Sequence, residues 1–228
     1  MKKERVHKWI AARGIMSRRK AEEAIRQGRV SLNGQVFTDL GRTLDPSLDQ
    51  ICLDGRPLEL KKSDRTFLFY KPRGVVTTKS DPEGRPTVMD YFKDLPGLNP
   101  VGRLDFDSEG LLLMTEDGDL LLRMTHPRFG IEKVYEVEVE GRGEPDFAKH
   151  LREGVLLSDG VGAFVSIEAI RPDRVFRIVV NEGRNRFVRR MMAAVGFTVR
   201  RLKRVRMGPF ELGDLAPGER REASHEPR

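Results

Sequence analysis

Cysteine occurs once in the 228 residues, as Cys52. No internal disulfide can form, so the fold must rest on burial and hydrogen bonding, as it does in reducing compartments. Histidine is scarce as well. His7, His126, His150 and His225 are scattered, without the close spacing that metal ligands adopt, and no metal is expected. No stretch approaches the ~20 consecutive apolar residues of a membrane span. The opening MKKERVHKWI lacks the apolar core of a signal peptide. A glycine-rich phosphate cradle is missing. These shortages argue against a disulfide scaffold, a zinc module and a helical membrane protein. They favour a cytoplasmic globular chain.

Positive charge, in contrast, is abundant. The formal net charge is +7, and its distribution says more than its total. Residues 1–30 hold ten Lys/Arg against three acids, and residues 171–206 hold twelve against two. Residues 31–170 hold 17 against 25. Two basic blocks thus flank an acidic middle. Solvated helix faces would give the same counts; the functional reading is two surfaces that grip a phosphate backbone.

The first block has its own local logic. Val6–Arg13 reads as a short helix stopped by Gly14, and Ser17 as the N-cap of a second helix, Arg18–Gln27, stopped by Gly28. Arg18, Arg19 and Lys20 crowd its first turn, where cations oppose the helix dipole, so another use for them is implied. Asn33-Gly34 and Asp54-Gly55 are hairpin signals. Helix, turn, basic helix and Asn-Gly hairpin in this order resemble the S4 RNA-binding domain. The resemblance implies an RNA contact through Arg13, Arg18, Arg19 and Lys20.

Residues 1–60 are accordingly expected to form an S4-like domain, 61–65 a linker, 66–215 a second domain and 216–228 a disordered tail poor in apolar residues. In the second domain, Thr66–Tyr70 and Val75–Thr78 read as extended. Residues 79–100 read as a surface loop with a short helix near Met89–Lys93. Residues 131–140 and Phe176–Val180 alternate as half-buried strands, and Phe187–Val195 reads as a helix closed by Gly196. Strands and helices interleave without a regular βαβ period. The expected class is therefore α+β, with a largely antiparallel mixed sheet flanked by helices.

The most informative run is Gly102-Arg103-Leu104-Asp105-Phe106-Asp107-Ser108-Glu109-Gly110, entering the apolar strand Leu111–Thr115. Polar groups at the mouth of a buried strand can be held rigidly and partly desolvated, which suits a nucleophile or general base. Asp105, Asp107, Glu109 and Glu116 also approach the spacing of an EF-hand calcium loop. Asn99-Pro100-Val101-Gly102, however, breaks the helix that such a loop needs. An aspartyl phosphatase pair would follow its strand rather than precede it.

Gly102–Thr115 resembles the signature of the RsuA/RluB family of ribosomal RNA pseudouridine synthases. Lys71-Pro72-x-Gly74-Val75-Val76, Lys133-x-Tyr135-x-Val137 and Glu182-Gly183-x-Asn185-Arg186-x-Val188-Arg189-Arg190 resemble further motifs of that family, in order. The resemblance spans roughly residues 1–212 and departs at Phe187, where the family usually has Gln. It implies isomerisation of a uridine without metal or cofactor. Asp105 would be the essential carboxylate, Tyr135 the active-site tyrosine and Arg189 the partner of the aspartate. Arg103 would fill the space left by a flipped nucleotide. Lys71, Arg184, Asn185 and Arg186, with the strand Arg200–Arg206, would hold RNA. A structured stem-loop of ribosomal RNA is the expected partner, and a monomer the expected state. The competing reading is a non-catalytic RNA-binding or ribosome-assembly protein.

Overall fold

The computed structural model describes residues 3–12, 15–46, 48–58, 65–172 and 174–223. Arg13, Gly14, residues 61–64 of the expected linker and 224–228 of the expected tail lie outside these. The chain divides into two compact units: Met1–Arg65 with Glu116–Asp119, and Thr66–Thr115 with Leu120–Arg228.

In the smaller unit, β1 (Glu4–Arg5) leads into α1 (Val6–Ala12). Ser17 caps α2 (Arg18–Arg26), its side chain accepting from the Lys20 amide at 3.3 Å. Ala21, Ala24 and Ile25 form the buried stripe of α2 and meet Val6, Trp9 and Ile10 of α1 in one core. The strands β2 (Val30–Leu32), β3 (Gln35–Val36), β4 (Thr43–Leu44), β5 (Ile51–Leu53) and β6 (Arg56–Pro57) follow. β4 pairs with β1, and the other four form a sheet in the order β3-β2-β5-β6. Both hairpin turns place two residues in the left-handed region, Asn33 with Gly34 and Asp54 with Gly55. That backbone matches the twist of the flanking strands, and Asn, Asp and Gly adopt it at least cost.

The larger unit is built on a nine-stranded sheet. Its elements are β7 (Thr66–Lys71), β8 (Asn99–Val101), β9 (Glu109–Thr115), α3 (Gly118–Thr125), β10 (Lys133–Gly141), α4 (Phe147–Glu153), β11 (Val155–Leu157), β12 (Gly160–Gly162), β13 (Ser166–Arg171), β14 (Val175–Val180), α5 (Phe187–Ala194), β15 (Phe197–Met207), β16 (Phe210–Glu211) and β17 (Arg220–Glu222). The main order is β13-β14-β10-β15-β9-β7-β17. Its pairs are antiparallel except β15 with β9. This is the α+β class expected from the sequence. Every residue of β9 is buried. Leu112 and Met114 join a core with Phe69 and Phe92, while Leu111 and Leu113 join another with Tyr70, Val101 and Met124. Packing on both faces is why the run is continuously apolar rather than alternating.

Two expectations are sharpened and one is corrected. Val75–Thr78, read as extended, joins no ladder and carries one isolated bridge, Val76 with Thr87. The Thr77 hydroxyl occupies the Leu104 backbone instead, at 2.7 Å to its carbonyl, an example of a side chain competing with a ladder. The short helix expected near Met89–Lys93 is present as the 3-10 helix Val88–Tyr91, fixed by a Thr87/Asp90 capping box. The tail is ordered through residue 223, because Arg220–Glu222 pairs with β7 through the backbone and Arg220 holds Asp94 at 2.8 Å. Edge pairing needs no apolar side chains.

Candidate active site

Asp105 sits in a β-turn between β8 and β9. The Ser108 amide donates to the Asp105 carbonyl at 3.0 Å, with Phe106 and Asp107 at the corner. The turn is pinned from several sides. The Gly74 amide donates to the Phe106 carbonyl at 2.8 Å. Lys71 Nζ donates to the carbonyls of Ser108 and Pro72, at 2.8 and 2.9 Å. Arg189 Nη2 reaches the Asp107 carbonyl at 3.1 Å and Ser108 Oγ at 3.4 Å, and Nη1 reaches the Val199 carbonyl at 3.0 Å. Strands enter and leave this turn on either side, so it has no EF-hand helix. Glu109 is committed elsewhere: it accepts from Tyr70 at 2.8 Å and from Arg201 at 2.6 Å.

Gly110 explains how the turn joins the sheet. Its φ is +101°, and a Cβ there would collide with the Arg204 carbonyl oxygen. Only glycine lets β15 come this close. Arg204, itself buried, then donates from Nε to the Leu111 carbonyl at 2.7 Å.

Two arginines at the start of α5 face the turn. Arg186 donates to both oxygens of Asp107, at 3.3 and 3.1 Å, and lies 3.8 Å from Asp105 Oδ2. Its φ of +48° is unusual for a non-glycine residue and costs about 1 kcal/mol; such strain gathers at functional sites. Burial works to raise the Asp107 carboxyl, but the Arg186 hydrogen bond and the charges of Arg189 and Arg186 outweigh it and hold it below its ordinary value. Burial also pulls Lys71 down to about 8, against the pull of Asp105, Asp107 and Glu109.

Asp105 and Tyr135 line one cavity of about 820 Å³, together with Arg103, Arg184, Asn185, Arg186 and Phe187. That volume lies within the range typical of small-molecule sites. Tyr135 comes from β10, paired to Arg204 at a bulge in the β10–β15 ladder, and bulges re-aim side chains at such places. Arg103 and Asn185 are exposed at the rim.

The structure rearranges several of the expected roles. Arg189 does not pair with Asp105; its carboxylate partner is Asp107, at 3.1 Å. Arg186 is the cation beside Asp105. Lys71 cannot reach RNA, because it is wholly buried. Arg184 is held by Glu182 at 2.5 Å and Asp159 at 3.1 Å. In the strand expected to hold phosphates, Arg200 pairs with Glu140, Arg201 with Glu109 and Arg206 with Glu132. Alternation put these cations where cross-strand carboxylates could meet them. Arg18, Arg19 and Lys20 lie on the exposed face of α2 in the smaller unit, and Arg13 lies outside the described residues. Phe187 is buried, edge-on to Phe164 at 5.9 Å, with the Arg184 guanidinium 4.8 Å over its ring. Gly162 leaves room for that ring. Sequence reasoning missed the bracing roles of Asp107, Ser108 and Lys71, since their partners are remote in the chain. It also missed the cavity wall at Thr125–Gly130, which no periodicity marks.

Comparison with known proteins agrees with this architecture. The model of the RNA pseudouridylate synthase family matches residues 65–194, and that of the S4 domain matches residues 4–49. A ribosomal large subunit pseudouridine synthase B of Bacillus subtilis is 40% identical over 225 residues, covering 96% of this chain and 91% of the relative. An uncharacterized RNA pseudouridine synthase of Aquifex aeolicus is 39% identical over 223 residues, covering 96% and 89%. A crystal structure of a pseudouridylate synthase superposes with a TM-score of 0.70 at 31% identity, covering 96% of each chain. With its cavity built around the Gly102–Thr115 run, this chain belongs to the RNA pseudouridylate synthase family and carries an N-terminal S4 domain.

Proposed function

We propose that the chain converts a specific uridine of ribosomal RNA to pseudouridine, with Asp105 as the essential carboxylate. The observation that carries this reading is the placement of Asp105 and Tyr135 on one cavity, with Arg186 at 3.8 Å from the carboxylate. The bond from ribose C1′ to uracil N1 breaks, the base turns, and C5 bonds to C1′. C5 loses a proton and N1 gains one, so the product is an isomer and no oxidant or phosphate donor is consumed. Asp105 acts at the sugar or base as the bond breaks. Tyr135 stacks on the uracil, and Arg189 acts through the turn as a positioning residue. A stacked base cannot reach the carboxylate, so the nucleotide must flip out at a cost of a few kcal/mol. Arg103, exposed at the rim, fills the vacated space.

Relatives named for the large ribosomal subunit favour that subunit as the source of the substrate, presented as a stem-loop to a monomeric, cytoplasmic enzyme. The S4 domain adds an RNA contact through α2. The test compares ribosomal RNA from a deletion strain with RNA from strains rescued by wild type or Asp105→Asn, with pseudouridines mapped by chemical adduct and primer extension. One site should vanish on deletion and return only with wild type, the variant losing on the order of 10³-fold in rate, about 4 kcal/mol of barrier. If every pseudouridine persists and the purified protein only binds RNA, the chain is a binding module.

A further inference from the structure

We propose that the turn His126–Gly130 is an RNA contact, a stacking platform for an unpaired nucleotide next to the target. The inference rests on the RNA-modifying reading above. Thr125, His126, Pro127 and Gly130 line the same cavity as Asp105, so this turn forms part of the wall around the flipped base. When a base rotates into that cavity, its neighbours in the strand must cross the rim.

The chemistry of the turn fits such a neighbour. Phe129 is 40% exposed, and the Arg128 guanidinium lies 4.4 Å from its ring centroid. The His126 ring meets Phe129 edge-on at 6.3 Å. Isolated exposed aromatics are ordinary on protein surfaces. This one belongs to a preformed aromatic–cation stack, and aromatic rings and guanidinium planes are what unstacked RNA bases rest on. Arg123 and Arg128 supply positive charge, and no Asp or Glu occurs from Leu120 to Ile131. A phosphate could approach without meeting a carboxylate of this segment.

The platform is also held in place. His126 Nδ1 accepts from the Arg128 amide at 3.2 Å, and the Gly130 amide donates to the Pro127 carbonyl at 3.0 Å. Beneath it Met124 is buried, and the Gly208 turn packs so closely that a Cβ there would lie 3.0 Å from Met124 and 3.3 Å from Ile131. An anchored ring loses little freedom on stacking.

The experiment uses the full chain and an unmodified transcript of large-subunit ribosomal RNA. Phe129→Ala should weaken binding of the transcript about tenfold, within the range found for loss of one stacked base, and Phe129→Tyr should restore it. Phe129→Trp supplies a direct probe against the single native Trp9, and its added fluorescence should be quenched by the transcript. Leu122→Ala, which removes a similarly exposed apolar side chain from the preceding helix, should leave binding within twofold. The proposal is overturned if Phe129→Ala binds within twofold of wild type, or if the added emission of the Phe129→Trp variant does not move when RNA is bound. Both readouts are independent of turnover, so a failed enzymatic reading and a failed stacking platform give different results.

Discussion

Arg19 and Lys20 in the smaller unit stand exposed and carry no ion pair among the described residues, whereas the cations of the larger unit's basic block are mostly held by carboxylates. Arg184 and Arg190 share Asp159. Arg186 and Arg189 share Asp107. Arg200, Arg201 and Arg206 each have a partner across the sheet. The two blocks look alike by composition. In the first, Arg18 and Arg29 are paired with Glu22 and Asp54 while Arg19 and Lys20 offer their charge to solvent; in the second, most of the charge braces the fold. Net charge measures attraction at long range; only pairing tells which cations are available to a phosphate.

The largest expected effect tests the extreme braced cation, Lys71. Its folded pKa of about 8 lies below the ordinary 10.5, so between those values the unfolded chain binds more protons. Below pH 8 the cost of the buried charge is fully present; as pH rises to 10.5 it is relieved. The stability of wild type should therefore climb relative to Lys71→Met over that window, by on the order of 3 kcal/mol, read from urea unfolding at each pH. A flat difference would mean that Lys71 is not the buried cation described.

A smaller effect is expected at Arg201→Met, which leaves buried Glu109 with Tyr70 alone. Half of the Arg201 side chain is exposed, so the loss should be roughly 1–2 kcal/mol of unfolding free energy. The salt dependence of RNA binding should not change. The double variant Arg19→Ala, Lys20→Ala should do the opposite. Its unfolding should stay within about 0.5 kcal/mol of wild type, while the slope of log affinity against log salt falls by about 2. If Arg201→Met lowers the salt slope instead, the division between braced and available cations fails.

These differences also explain what could be read in advance. Asn33-Gly34, the Ser17 cap and the buried run Leu111–Thr115 were legible because each depends on its own neighbours or period. Asp105, Tyr135 and Arg103 were legible as cavity residues through the resemblance of their motifs. Lys71 read as a surface cation because nothing nearby says that its ammonium reaches the carbonyl of Ser108, 37 residues on. Arg189 read as the partner of Asp105, and only the three-dimensional turn put Asp107 in between. β17 was missed for a different reason: it joins through its backbone and the polar Arg220 side chain, which leaves no apolar pattern.

The parallel junction between β9 and β15 also governs when the sheet can close. The Arg201–Glu109 contact spans 92 residues of chain and the Arg189–Asp107 contact 82. β15 lies in the middle of the sheet, between β10 and β9, but follows both of them in the chain. A growing chain must therefore carry two open strand edges, exposed to aberrant pairing, until Phe197–Met207 has been synthesised and threaded between them. Glu109, at the foot of the turn that carries Asp105, gains its Arg201 partner only with that insertion.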